Sequence, residues 1–247
     1  MNNLLDILNK SVNYLEKKGT SIFEMADLEL AYLSFLLEVR EPRALYQVLI
    51  SNPKLFADLV RLVHQDKQEP LGWDDRAELE FKNASLVLRE WPGFPVKKED
   101  GKLDEEPIGD WIKQVRKQLH DRKCANCGDF LIGKAFAKIP FDLDGIWPPE
   151  FIRDLIEEID SEHLDKGIYS VFESIEYSRC RDSATSANIF RKSVEAVQAE
   201  WPRTAHILRR IADFYKEEAR RQNEEAEISQ VFHYQRSAPS HSTPPQG

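Results

Sequence analysis

Pro148-Pro149-Glu150-Phe151-Ile152-Arg153-Asp154-Leu155-Ile156-Glu157-Glu158-Ile159 places Phe151, Ile152, Leu155, Ile156 and Ile159 on one stripe at helical spacing. Two prolines stand where a helix begins, because a first-turn residue has no helical use for its N–H. Asp154, Glu157 and Glu158 fill the opposite face. A strand would alternate with period two, and this stretch does not.

The same period governs the chain on both sides. Upstream, Ile108, Trp111, Ile112, Val115 and Leu119 share one face, and a short helix is expected near 128–138. Residues 3–18 carry Leu4, Leu8, Val12 and Leu15 on a stripe, with Gly19 as the stop. A long apolar helix is expected from Phe23 to Val39, ending before Pro42. Pro42 and Pro53 open helices near 43–51 and 54–65; Leu55, Phe56, Leu59, Val60 and Val63 form the inner face of the second. Another helix runs from Asp74 to Trp91, stopped by Pro92-Gly93. Downstream, helices are expected near 161–177 and 185–200. Trp201-Pro202 then starts a last one, striped by Ile207, Leu208, Ile211, Tyr215 and Ala219 and fading at Glu224–Glu227.

The expected fold is therefore all-α, an irregular multi-helix bundle or short solenoid-like array of about ten helices with a disordered C-terminal tail. Residues 92–107, with their prolines, glycines and the run Lys97-Lys98-Glu99-Asp100, read as a loop or linker. It separates an N-terminal helical half, 1–91, from a C-terminal half, 108–230. Residues 231–247 read as the tail, with no large apolar side chain after Ser237. Trp147 and Trp201 each precede a first-turn proline, a position from which a large side chain packs back on its helix. Both indoles are expected to be mostly buried and to tie adjacent helices of the second half together.

The chain has 247 residues, 43 acidic against 34 Lys and Arg, enough for one large domain or two small ones. Its mean hydropathy of −0.53 and the lack of a long apolar run argue against a membrane span. The start, Met1-Asn2-Asn3-Leu4-Leu5-Asp6, has no basic region, so no secretory leader is expected. Three cysteines, an odd number, suit a reducing cytoplasm better than a disulfide scaffold. The net charge of −9 argues against sequence-blind DNA binding.

Four local patterns could carry chemistry. Cys124-Ala125-Asn126-Cys127 can offer two thiolates to zinc, with His120 a helical turn before and Cys180 or His163 as further ligands. A second close-spaced pair is missing, however, and no strand precedes the cysteines as a redox site requires. The competing reading is Cys as a small buried hydrophobe. Gly128 to Gly133-Lys134 has the glycine spacing of a phosphate loop, but Ala135 stands where Mg²⁺ coordination needs a hydroxyl. Asp142-Leu143-Asp144-Gly145 resembles the opening of a calcium loop, yet Trp147, Pro148 and Pro149 interrupt it; a simple turn at Asp144-Gly145 explains it as well. Nothing matches a nucleophile elbow, a zincin helix or a dinucleotide fingerprint.

Charge is segregated. Between Asp142 and Glu176 eleven acidic residues face only Arg153 and Lys166, so this segment alone carries the chain's whole net charge. Asp154, Glu157, Glu158, Glu162 and Asp165 would lie on two consecutive helices, either as a solvated face or as a surface for a basic partner. Lys113, Arg116, Lys117, Arg122 and Lys123 form a basic stripe that lacks the aromatic platform of a nucleic-acid site.

One ordered set of motifs is familiar. Trp91-Pro92-Gly93, Asp100-Gly101, Gly133, Asp144 to Pro148 and Glu200 to Ala205, followed by Ile207 to Ala212, resemble a helical region at the C-terminal end of a group of large uncharacterised bacterial proteins. The segment from Arg40 to Phe56 is similar in style to what precedes that region. The resemblance covers about residues 30–228. Tyr177 to Arg181 and Asp182 to Ser186 depart from the Arg-Gly pair and glycine-rich stretch of the group. The resemblance implies a bacterial origin and a role beside other proteins in defence or stress systems, and no reaction.

These readings converge on a non-catalytic protein–protein interaction module, an adaptor or regulatory subunit of a bacterial complex, without a cofactor. Its expected partner is another protein of the same complex with a basic surface, met through Asp154, Glu157, Glu158, Glu162 and Asp165. The alternative is a zinc-dependent effector or enzyme using His120, Cys124, Cys127 and Cys180. A third reading is weak nucleic-acid binding through the basic stripe.

Overall fold

A carbonyl near the end of an α-helix has no donor four residues on, and a proline at that place guarantees the deficit. Leu49 is such a case: the residue four positions later is Pro53. The indole of Trp111, from a distant helix, donates to the Leu49 carbonyl at 2.9 Å. Its ring meets Phe56 edge-on at 4.9 Å and Phe94 at 5.1 Å, with Trp91 at 5.7 Å. This aromatic cluster is the centre of the larger part of the molecule.

The computed structural model describes residues 2–65, 75–94, 104–141, 144–174 and 182–237. Among them are twelve α-helices and no strand: α1 Asn2–Lys17, α2 Ile22–Ala31, α3 Leu33–Leu36, α4 Arg43–Ser51, α5 Pro53–Gln65, α6 Asp75–Glu90, α7 Glu105–Asp121, α8 Ala125–Ala137, α9 Glu150–Ile159, α10 Glu162–Phe172, α11 Ser183–Val197 and α12 Pro202–Ser237. No helix among the described residues is long and apolar enough to cross a membrane. The all-α architecture expected from periodicity is the one observed.

Two compact units divide after Val171, not in the 92–107 segment. Trp91 and Phe94 pack on Phe56 and Trp111, so the helices before and after that segment share one core. Residues 95–103 of the expected linker lie outside the described residues.

In the first unit, two glycines set the closest helix approach. A Cβ on Gly133 of α8 would stand 2.1 Å from the Leu164 carbonyl oxygen of α10, and one on Gly167 would stand 2.0 Å from the Phe130 oxygen. The backbones of α8 and α10 therefore touch, and only glycine fits at either place. Gly128 and Gly133, which have the spacing of a phosphate loop, lie inside the continuous helix α8, where Gly133 faces α10 and Gly128 faces the Leu119 side chain of α7.

Trp147 is buried and its indole donates to the Ile139 carbonyl at 2.9 Å, anchoring the segment that leads into α9. The peptide bond between Trp147 and Pro148 is cis. In the second unit Phe190 of α11 stacks on Tyr215 of α12 at 5.8 Å and meets Phe172 edge-on at 5.3 Å. Asp182 caps α11, accepting from the Ala184 and Thr185 N–H groups at 3.3 and 3.2 Å.

Two local expectations are corrected. The helix from Phe23 to Val39 is two, broken at Tyr32, whose backbone leaves helical values at φ −110° and ψ 18°. The Phe35 N–H bonds to the Tyr32 carbonyl, and Asn83 of α6 takes the abandoned Ala31 carbonyl at 3.1 Å. The last helix does not fade near Glu227 but continues to Ser237, so 231–237 belongs to it; the rest of the expected tail, 238–247, lies outside the described residues. Trp201 is less deeply buried than Trp147.

Two stability series test this packing. Gly167→Ala should lower unfolding free energy in urea by about 1–3 kcal/mol, an overpacking cost with backbone as the obstacle; an unchanged midpoint would refute the close α8–α10 approach. Trp147→Ala should cost about 3–5 kcal/mol, and Trp201→Ala distinctly less; equal losses would contradict their different burial.

Candidate functional site

Helix α9 is built from a fully committed inner face and a charged outer one. Ile152, Leu155, Ile156 and Ile159 are buried, as is Arg153, whose Nε donates to the Pro148 carbonyl at 2.9 Å. That leaves Asp154 and Glu158 exposed and Glu157 half-buried. Asp160, in the left-handed region at φ 45°, ends the helix. Helix α10 follows at once, with Leu164 and Ile168 buried, Glu162 exposed and Asp165 half-buried. Lys166 lies 3.7 Å from Glu162, a loose exposed pair worth little.

The two helices treat their acids differently. Glu162 and Asp165 fall in the first turn of α10, where the helix dipole favours negative charge. Glu157 and Glu158 fall at the end of α9, which has no basic residue in its last turn. There the dipole disfavours them.

The basic stripe separates into two kinds of residue. Arg116 makes a two-point contact with the buried carboxylate of Asp129, at 2.9 and 3.4 Å. Arg122 pairs with Asp58 of α5 at 2.8 Å. Both guanidiniums are thus committed to carboxylates of this chain. Lys113, Lys117 and Lys123 remain exposed.

Cys124 behaves as a packing residue. Cys124, just before α8, is 5% exposed, and its thiol donates to the Arg122 carbonyl at 3.4 Å. Burial pushes that thiol above its ordinary pKa, and neighbouring Cys127 adds to the effect, so the metal-binding thiolate is disfavoured. Cys127 is half-buried within α8 and His120 is exposed on α7. No group of three His, Cys, Asp or Glu suited to a metal occurs among the described residues; Cys180 and Asp142 lie outside them. At the expected turn, Asp144 Oδ1 accepts the Ile146 N–H at 2.9 Å, and Gly145 has φ 78°. This is an Asx-type turn.

Compared with protein-family models, curated proteins and solved structures, the chain matches none.

Two features escaped the sequence. The first is Glu29, fully buried in α2, whose Oε2 accepts the Leu45 N–H in the first turn of α4 at 2.8 Å. Pro42, the residue before α4, offers no side-chain cap, so Glu29 supplies one across the fold. Its other oxygen has no hydrogen-bond partner among the described residues. Burial holds its pKa above the ordinary 4.5, outweighing the Leu45 hydrogen bond and the nearby Arg40; Glu16 adds to the rise. Glu29 is one of three acids in α2, with Glu24 and Asp27, and the sequence does not distinguish it from the two exposed ones. The second is the exposure of Phe23, Tyr32, Phe35 and Val39, within the segment expected as one long apolar helix.

The Glu29 shift fixes a pH dependence. The folded carboxyl keeps its proton at pH values where the unfolded chain releases it. Stability relative to Glu29→Gln is therefore greatest below about pH 4.5 and falls as pH rises through the folded pKa, where it levels. Urea titrations of both proteins across this range should diverge in that direction; parallel curves would contradict it.

Proposed function

We propose that this protein is a non-catalytic interaction module, an adaptor or regulatory subunit of a cytoplasmic bacterial complex, which meets a basic partner surface through the outer faces of α9 and α10. One observation carries the reading: Glu157 and Glu158 crowd the end of α9 against its dipole, beside exposed Asp154 and Glu162. Charge kept where it does not serve its own helix is suited to steering association. The setting in a defence or stress system rests on the resemblance to the C-terminal region of the large bacterial proteins. A cytoplasmic setting agrees with the free thiols of Cys124 and Cys127.

The zinc reading has less support, because the Cys124 thiol is buried against the Arg122 carbonyl, where burial raises its pKa. The nucleic-acid reading loses Arg116 and Arg122 to internal ion pairs.

Affinity capture from the native host, followed by stopped-flow association with the purified partner, tests the proposal. Glu158→Lys with Glu162→Lys should cut the association rate by about tenfold at low salt and flatten its salt dependence. Folding stability should stay within about 0.5 kcal/mol. Cys124→Ser with Cys127→Ser should associate normally. Association lost in the serine variant and kept in the lysine variant would replace this reading with a metal site.

A further inference from the structure

A second surface, independent of the acidic one on α9 and α10, lies on α2 and α3. Met25, Ala26, Leu33 and Leu36 turn inward, where Met25 and Leu36 pack with Val12 of α1. The outward positions follow at four-residue intervals, Phe23, Asp27, Ala31 and Phe35, all exposed. Phe23 is 57% exposed, Tyr32 48% and Phe35 46%, and Val39 is exposed one turn beyond Phe35. Isolated exposed apolar residues need no explanation. Here Tyr32, Phe35 and Val39 lie within eight residues of one another at one end of this surface and Phe23 at the other, with Asp27 and Ala31 between them.

Within the segment that forms this surface, the exposed charges are acidic. They are Glu24, Asp27, Glu38 and Glu41. Between Ser21 and Pro42 the single cation is Arg40, and it is occupied: its guanidinium donates to Asn13 Oδ1 at 3.0 Å and pairs with Glu16 at 2.5 Å. A second copy of the same face would bring acid against acid, which opposes self-association.

We propose that the outer face of α2 and α3 docks an amphipathic helix of a partner protein, one whose apolar stripe is flanked by lysine or arginine. The aromatic side chains supply the anchors and the acidic residues select the flanking charge.

The probe is a synthetic amphipathic Leu/Lys helical peptide, with a Leu/Glu peptide of the same apolar face as its control. Fluorescence anisotropy with the full chain should show saturable binding of the Leu/Lys peptide and at least about tenfold weaker binding of the control. Tyr32→Ser with Phe35→Ser should weaken the Leu/Lys peptide by about tenfold or more, while far-UV circular dichroism and thermal midpoint stay those of wild type. Glu24→Lys with Glu38→Lys should weaken it too. Glu158→Lys with Glu162→Lys should leave it unchanged, which separates this surface from that on α9 and α10. The proposal is overturned by absent binding, by equal binding of both peptides, or by binding that survives the serine pair. Sedimentation showing a dimer that the serine pair abolishes would assign the face to a second copy and overturn it as well.

Discussion

Pro53 deprives the Leu49 carbonyl of its helical donor, and the indole of Trp111 makes good the loss from another helix. This single contact joins a backbone requirement to the packing of the core, because the same ring is wedged among Phe56, Trp91 and Phe94. A buried carbonyl without a donor costs about 1–3 kcal/mol. Removing the indole would add the loss of a large aromatic from the centre of the unit. The solution recurs along the chain. Asn83 serves Ala31, Trp147 serves Ile139, Arg153 serves Pro148, and Glu29 serves the exposed start of α4 from the donor side. Short helices broken by proline and by irregular turns leave many such ends, and side chains distant in sequence close them.

These commitments decide what is left for a partner. On α9 and α10 the apolar residues and Arg153 are spent inward, so the outer faces are carboxylates. The contact of the α8 and α10 backbones at Gly133 and Gly167 holds α10 against the core and gives its acids a rigid base. The guanidiniums of Arg116 and Arg122 are neutralised within the fold. The outer faces of α9 and α10 and the exposed charges of the α2–α3 segment are therefore both acidic.

Helix existence was legible wherever an apolar stripe recurred at helical spacing between prolines. The stripes of α5, α7 and α9 show this, with Phe56, Ile112 and Ile156 buried as expected. What escaped depends on partners far away in sequence. The break at Tyr32 needs Asn83 to take the Ala31 carbonyl, and nothing near Tyr32 announces it. Residues 23–39 read as one long apolar helix, and which of its apolar side chains face out was not legible: Met25 and Leu36 are buried while Phe23 and Phe35 are exposed. Trp201 shares its Trp-Pro pattern with Trp147, yet Trp147 is the more deeply buried of the two. The acidic run was visible as composition; its unfavourable placement at the end of α9 required the helix boundary.

Hydrogen exchange of the indole N–H groups by NMR tests the central claim most directly, because a buried indole donating to an orphaned carbonyl exchanges only when the core opens. The Trp111 indole should exchange as slowly as the most protected backbone amides of α5 and α7, with the same dependence on urea. Exchange of that proton at the rate of an exposed indole, while those amides stay protected, would show that the Leu49 carbonyl is not held by Trp111 and that the core is organised around another contact.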